Sequence, residues 1–159
     1  MNKKGVTLIE MLIVLAIIGI LAMIAVPAYI GQQKGAARTE AYSNVQNLRM
    51  LEEQFFADRG VYTISLGTAG KDNTGNVQLI QQGGSPPDPS NALPGFKPGA
   101  GVSYSYWIVQ NFQISNSSTN PPTTAATATP CFVAFAAGNT GTRVDGDVFA
   151  IDCNNNRNF

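Results

Sequence analysis

Gly5-Val6-Thr7-Leu8-Ile9-Glu10-Met11-Leu12-Ile13-Val14-Leu15-Ala16-Ile17-Ile18-Gly19-Ile20-Leu21 opens a chain of 159 residues, and the rest is read outward from it. From residue 6 to residue 30 one side chain is charged, that of Glu10. The twenty residues from 11 to 30 carry no charge at all. As a helix rising about 1.5 Å per residue, such a run spans roughly 30 Å, the hydrocarbon thickness of a bilayer. Lys3 and Lys4 precede it, so the positive-inside rule keeps the N-terminus cytoplasmic and sends the remainder across. A secretory signal peptide would place a small-residue cleavage site after the apolar run. Residues 22–28 match that poorly, and helical patterning continues beyond Pro27. Glu10 is the anomaly. A carboxylate within an apolar span costs up to about 3 kcal/mol on insertion scales, so it reads as functional.

Beyond the run, Ala37, Ala41, Val45, Leu48, Leu51 and Phe55 recur at spacings of three and four, one face of an amphipathic helix. Thr39, Ser43, Gln46, Arg49 and Glu53 lie opposite, while Asn44 falls on the apolar side and Met50 on the polar one. The pattern predicts one helix over residues 7–58, stopped by Gly60. Pro27, with Gly19 and Gly31 nearby, marks where that helix can kink or unwind. Residues 61–101 are dense in Gly, Pro, Ser and Asn and read as a long connecting loop with a short strand at 77–81. Strands are expected at 102–109, extended by 112–114, and at 131–137 and 148–153. Gly138-Asn139-Thr140-Gly141 and Asp145-Gly146-Asp147 supply turns between the last two. Residues 115–130 are uncharged, rich in Ser, Thr, Pro and Ala, and read as an exposed connection. The tail, 154–159, is polar and a candidate for disorder.

Composition narrows the chemistry. Charged residues are 13% of the chain, about half the usual share. Ten basic and ten acidic residues cancel, which argues against a strongly basic nucleic-acid binder; no nucleic-acid partner is indicated. The absence of histidine excludes His-dependent triads and His-ligated zinc. The glycines never assemble a GxGxxG or a P-loop, so any motor is another protein. No catalytic, cofactor-binding or metal-ligating residue is assigned. Asp145, Asp147 and Asp152 lack EF-hand spacing and read as turn chemistry rather than a calcium site. Tyr104, Tyr106 and Trp107 read as core or subunit contact, as do Tyr29, Tyr42, Phe55 and Phe56.

Cys131 and Cys153 make an even count behind an export-type N-terminus, suggesting a disulfide formed outside the cytoplasm. Two buried free thiols are the alternative. A hairpin closing symmetrically about residue 142 would set the two cysteines opposite one another, about 5.5 Å apart. Closing a loop of about 23 residues contributes roughly 3 kcal/mol in the chain-entropy model.

The stretch from Lys3-Lys4-Gly5 through Glu10 to Leu21 resembles the prepilin signature of the type IV pilins and pseudopilins. The resemblance implies a dedicated peptidase that cuts between Gly5 and Val6 and methylates Val6. Val6 departs from the Phe or Met usual there. Glu10, fifth from the cut, matches the family's assembly glutamate, whose proposed partner is the neighbouring subunit's amine at Val6. Gly19 and Pro27 match the helix-perturbing positions. Residues 55–63 are similar to the family's helix-to-loop join, and Cys131–Cys153 fits its C-terminal disulfide loop.

The implied fold is α+β, a long N-terminal helix packed against a small antiparallel C-terminal sheet. The implied organisation is a leader at 1–5, a transmembrane and polymerisation half-helix at 6–30, and a globular head at 31–159 that includes the second half of the helix. The function expected is that of a structural subunit polymerising into a surface filament for adhesion, motility or DNA uptake. Its implied partners are copies of itself, the prepilin peptidase and methyltransferase, and an inner-membrane assembly platform with motor ATPases. The subunit would sit in the inner membrane before assembly and in an extracellular filament afterwards. A minor pilin or a type II secretion pseudopilin shares these features. From another class, a signal-anchored periplasmic enzyme or binding domain remains, disfavoured by the missing histidine. Hydroxyls of 115–130 are candidates for glycosylation, which is common among pilins.

Overall fold

The computed structural model describes residues 5–99 and 103–159; residues 1–4 of the expected leader and the expected strand start at Val102 lie outside them. Helix α1 is Leu8–Arg59, close to the bounds its periodicity predicts, and Gly60 follows it. The helix runs unbroken through Gly19 and Pro27, although Pro27 has no N–H to offer the carbonyl of Met23. The chain forms two compact units, one reaching to Ala36 and one over Ala37–Phe159. In the first, every large apolar side chain from Val6 to Ile30 is exposed, Leu8 to 78% and Met23 to 79%.

In the second unit Ala41, Val45 and Leu48 are fully buried, and Ala37, Leu51 and Phe55 pack against the same core. Burying one such leucine contributes about 1.5–3 kcal/mol. Asn44, the flaw in the apolar face, donates its side-chain N–H to the Tyr106 hydroxyl at 2.9 Å. Thr39, Ser43, Gln46 and Met50 stay exposed.

The region from 61 to 99 is more structured than a loop. Residues 77–81, expected as a strand, belong instead to helix α2, Asn76–Gln82. Asn76 and Ile80 are buried and Val77 packs on the core, a spacing of three and four that suits one helical face. Gly83 ends α2 at φ 86, and the amide of Gly84 donates to Leu79 O at 2.8 Å, a Schellman close. A Cβ on Gly83 would lie 1.9 Å from the Asp88 carbonyl oxygen, so only glycine fits. A short 3-10 turn, Pro89–Asn91, follows and is capped by the Asp88 side chain.

Five strands complete the unit: β1 Tyr104–Gln110, β2 Phe112–Asn116, β3 Thr123–Ala126, β4 Phe132–Gly138 and β5 Val148–Asp152. They form an antiparallel sheet in the order β1-β4-β5 and a separate β2-β3 ribbon. Residues 112–114 therefore do not extend β1. Asn111 intervenes at φ 60, a left-handed turn residue that redirects the chain. The expected connection 115–130 contains β3 for the same reason, since β2 needs a partner.

The main sheet has two buried faces. Tyr104, Tyr106 and Ile108 of β1, with Phe132, Ala134 and Ala136 of β4, join the helix-side core. Trp107, Val133, Phe135 and Ala137 form a second cluster with Ile114 of β2. Trp107 stacks on Phe135 with ring centroids 4.9 Å apart. Burial of the Tyr104, Tyr106 and Trp107 rings within these clusters agrees with their reading as core.

The β4–β5 register pairs Val133 with Asp152 and Ala137 with Val148. The hairpin thus closes half a residue beyond the symmetric register about residue 142, and Cys131 meets Cys153 diagonally rather than directly. The two are joined, with Cα atoms 5.4 Å apart. The tail is ordered, contrary to its composition. Asp152 accepts from the amides of Ile114, Asn154 and Asn156 and from the Asn156 side chain, all at 2.8–3.0 Å. Asn158 then copies a strand: its side-chain oxygen accepts from Ala150 N at 2.9 Å and its N–H donates to Val148 O at 2.8 Å. Phe159 stacks on Tyr42, centroids 4.5 Å apart.

Candidate assembly site

The site is built at the start of α1. Thr7 precedes the first helical residue, the N-cap position, and Glu10 stands three residues later. The Glu10 amide approaches the Thr7 hydroxyl oxygen at 3.4 Å, and the Thr7 amide and hydroxyl approach a Glu10 carboxylate oxygen at 3.5 Å. This reciprocal pattern is a capping box, loosely closed at these distances. The carboxylate also sits in the first turn, where the helix dipole favours a negative charge. Among the described residues Thr7 is the hydrogen-bonding partner of Glu10, and no cation lies on it.

Gly5 and Val6 lead into this cap in an exposed segment, and nothing packs within 4 Å of where a Cβ on Gly5 would point. The helix beyond is apolar around its whole circumference, with a mean hydropathy of 2.9 over 18 residues and none of that surface buried. Such a surface is stable against lipid or against other helices of the same kind, not in water. Gly19, halfway along, has open space at its Cβ position as well.

The N-terminal residues 1–26 match the family model described as the prokaryotic N-terminal methylation motif. The chain is similar to type IV pilins and pseudopilins. Its helix and five short antiparallel strands have the α+β architecture of that pilin fold. It is similar to the type IV major pilin protein PilA of Myxococcus xanthus, 43% identical over 39% of this chain and 28% of that protein. It is also similar to the fimbrial protein EcpC of Eikenella corrodens, 39% identical over 49% of this chain and 51% of the relative. A third similarity, at 27% identity, is to the type II secretion system core protein G of Dickeya chrysanthemi, over 57% of this chain and 54% of the relative. The matched part of this chain thus spans from about a quarter to about half the length of these relatives. No solved structure matches it.

The three aspartates near the C-terminus do not converge. Asp145 pairs with Lys71 at 2.8 Å, which holds its carboxyl below the usual range. Asp147 receives a two-pronged contact from Arg38, at 2.8 and 2.7 Å, and the Arg38 pKa is raised in return. Asp152 is consumed by its four N–H donors. Among the described residues no cluster of metal-ligating side chains forms. Burial pushes the Tyr106 hydroxyl up to about 12 and raises Tyr104 further, beside Asp147.

Two features of the chain had readable or hidden signals. Thr7-Leu8-Ile9-Glu10 ahead of an apolar run is a capping-box sequence, and it passes unnoticed once Glu10 is read as an assembly residue. Glu52, adjacent to the solvent-side Glu53, is fully buried; it continues the stripe of Ala41, Val45 and Leu48 at a spacing of four, a signal hidden by its being charged.

Proposed function

We propose that this chain is a structural subunit of a type IV pilus, polymerising through residues 6–30 into a surface filament. The single observation carrying the reading is the fully exposed apolar helix that begins at a prepilin motif and holds one carboxylate in its first turn. Leader removal between Gly5 and Val6 frees a new amine, and methylation would fall on Val6. Glu10, with no cation on it among the described residues, is then the group available to a neighbour's Val6 amine. Making that contact competes with the Thr7 cap, whose long distances leave it easily exchanged. Pro27 and Gly19 are the places where α1 yields when helices pack or stretch.

The test is the intact mass of the protein from sheared surface filaments. A mass lacking residues 1–5, raised by one methyl and lowered by two hydrogens, supports processing, methylation and the Cys131–Cys153 bond together. Unprocessed protein retained in the membrane overturns the filament reading. The similarity to a type II secretion core protein favours a second reading, a pseudopilin. In that case the processed form is held in the membrane fraction and is absent from the shear fraction.

A further inference from the structure

Glu52 has no exposed surface, and neither does its partner Thr63. One carboxylate oxygen accepts from the Thr63 amide at 3.1 Å, and the other takes a short hydrogen bond from the Thr63 hydroxyl. Thr63 lies just past the end of α1, so the contact ties the departing chain back onto the helix. Its neighbours alternate: Tyr62 is buried, whereas Val61 and Ile64 are exposed to 54% and 66%. The same segment then bridges to β1, where Leu66 pairs with Ile108.

The charge around Glu52 is not compensated. It takes part in no ion pair among the described residues. On its own helix Glu53 adds a like charge, and Arg49, one turn earlier, has a buried Nε without a hydrogen-bond partner. From the following segment Tyr62 faces it, with the Tyr62 hydroxyl turned to Glu53 at 3.4 Å. Burial pushes the Glu52 carboxyl up to about 7, against the opposing pull of the two Thr63 bonds.

We propose that Glu52 and Thr63 form a proton-controlled latch, which holds residues 60–66 on α1 when Glu52 is protonated and loosens when it ionises. In the neutral state the carbonyl oxygen of Glu52 accepts the Thr63 amide, and its O–H donates to the Thr63 hydroxyl, which reverses direction. Ionisation lets the Thr63 hydroxyl donate again, so both bonds persist, but it leaves a carboxylate in an apolar core with no cation on it among the described residues, a cost that opening of the segment to water relieves. The latch stands independently of the filament reading. Its output is the placing of Val61 and Ile64, exposed apolar side chains on either side of Thr63.

The sign follows from linkage. The closed state binds the proton more tightly than an opened one, so closure is fully supported below about pH 4.5 and weakens up to about pH 7. The experiment is amide hydrogen exchange at Thr63 and Ile64 in the full chain in detergent micelles, as protection factors corrected for intrinsic rates. Protection should fall about tenfold per pH unit between roughly pH 5 and 7, then level off. In Glu52→Gln it should be flat across the same range. Flat protection in the parent, or an unchanged slope in the variant, overturns the latch. A carbon-13 titration of the Glu52 carboxyl in the parent needs no variant, and a midpoint below about pH 5 would overturn the latch on its own.

Discussion

Asp152 shows how one buried carboxylate organises a terminus. With no exposed surface and four N–H donors, it stands where a missing acceptor would orphan several buried amides at once. Asp152→Ala should destabilise the second unit by about 3 kcal/mol or more, read as a drop in the denaturant midpoint. It should also release Phe159 from Tyr42, visible as a change in near-ultraviolet circular dichroism. Glu10 lies at the other extreme, exposed and held by one loose cap. Glu10→Ala should leave membrane insertion intact, cost about 1 kcal/mol or less of helix-end stability, and reduce incorporation into filaments. Normal filament yield from that variant would remove Glu10 from assembly. Both carboxylates are visible in the sequence, and their environments are not. Glu10 stands out because its neighbours are apolar in sequence, and Glu52 continues the buried stripe of Ala41, Val45 and Leu48, whereas Asp152 is surrounded only once distant segments fold over it.

Among the elements, the β4–β5 turn has the least room. A Cβ on Gly138 would sit 1.8 Å from the Val144 carbonyl oxygen, a backbone atom that cannot swing aside. Gly138→Ala should therefore cost about 3 kcal/mol and shift the turn that carries Asp147, weakening its contact with Arg38. Thermal unfolding of the variant checks the magnitude, and an unchanged melting temperature would refute it. Long elements were the legible ones. Six apolar positions at helical spacing place α1 within a residue or so, and the runs at 131–137 and 148–153 locate β4 and β5. Short elements were not. Seven residues make too few turns for α2 to announce its period, and the apolar residues Val77, Leu79 and Ile80 are too few to tell a short strand from a helix. The break between β1 and β2 depends on the backbone of Asn111, a left-handed residue that side-chain patterning cannot reveal.

The whole molecule divides into a helical segment without a core of its own and a unit with two clusters around one sheet. The stability of the first must come from its surroundings, lipid or other helices, while the second folds around its own apolar side chains. Charge plays little part in either: 13% of residues are charged, and the prominent carboxylates are each matched by hydrogen-bond donors. The resemblance to the pilins was legible in the first thirty residues because its signature is a linear run of sequence. The geometry of the second unit was less so, since its register, its ordered tail and the Asn158 strand mimic all rest on contacts far apart in the chain. Reduction of Cys131–Cys153 should lower the stability of that unit by about 3 kcal/mol, measured by denaturant melts with and without reductant.

That disulfide also limits how far the molecule can lengthen under load. The bond spans 22 positions, so a pulled chain cannot pay out the segment between Cys131 and Cys153 while the bridge is intact. At about 3.5 Å per residue, roughly 75 Å of contour is withheld. Single-molecule extension of the oxidised and reduced chains should differ by that amount, and equal final lengths would mean the bridge carries none of the tension. An oxidised subunit pulled along its backbone therefore reaches its taut length early, with its last hairpin still tethered to itself.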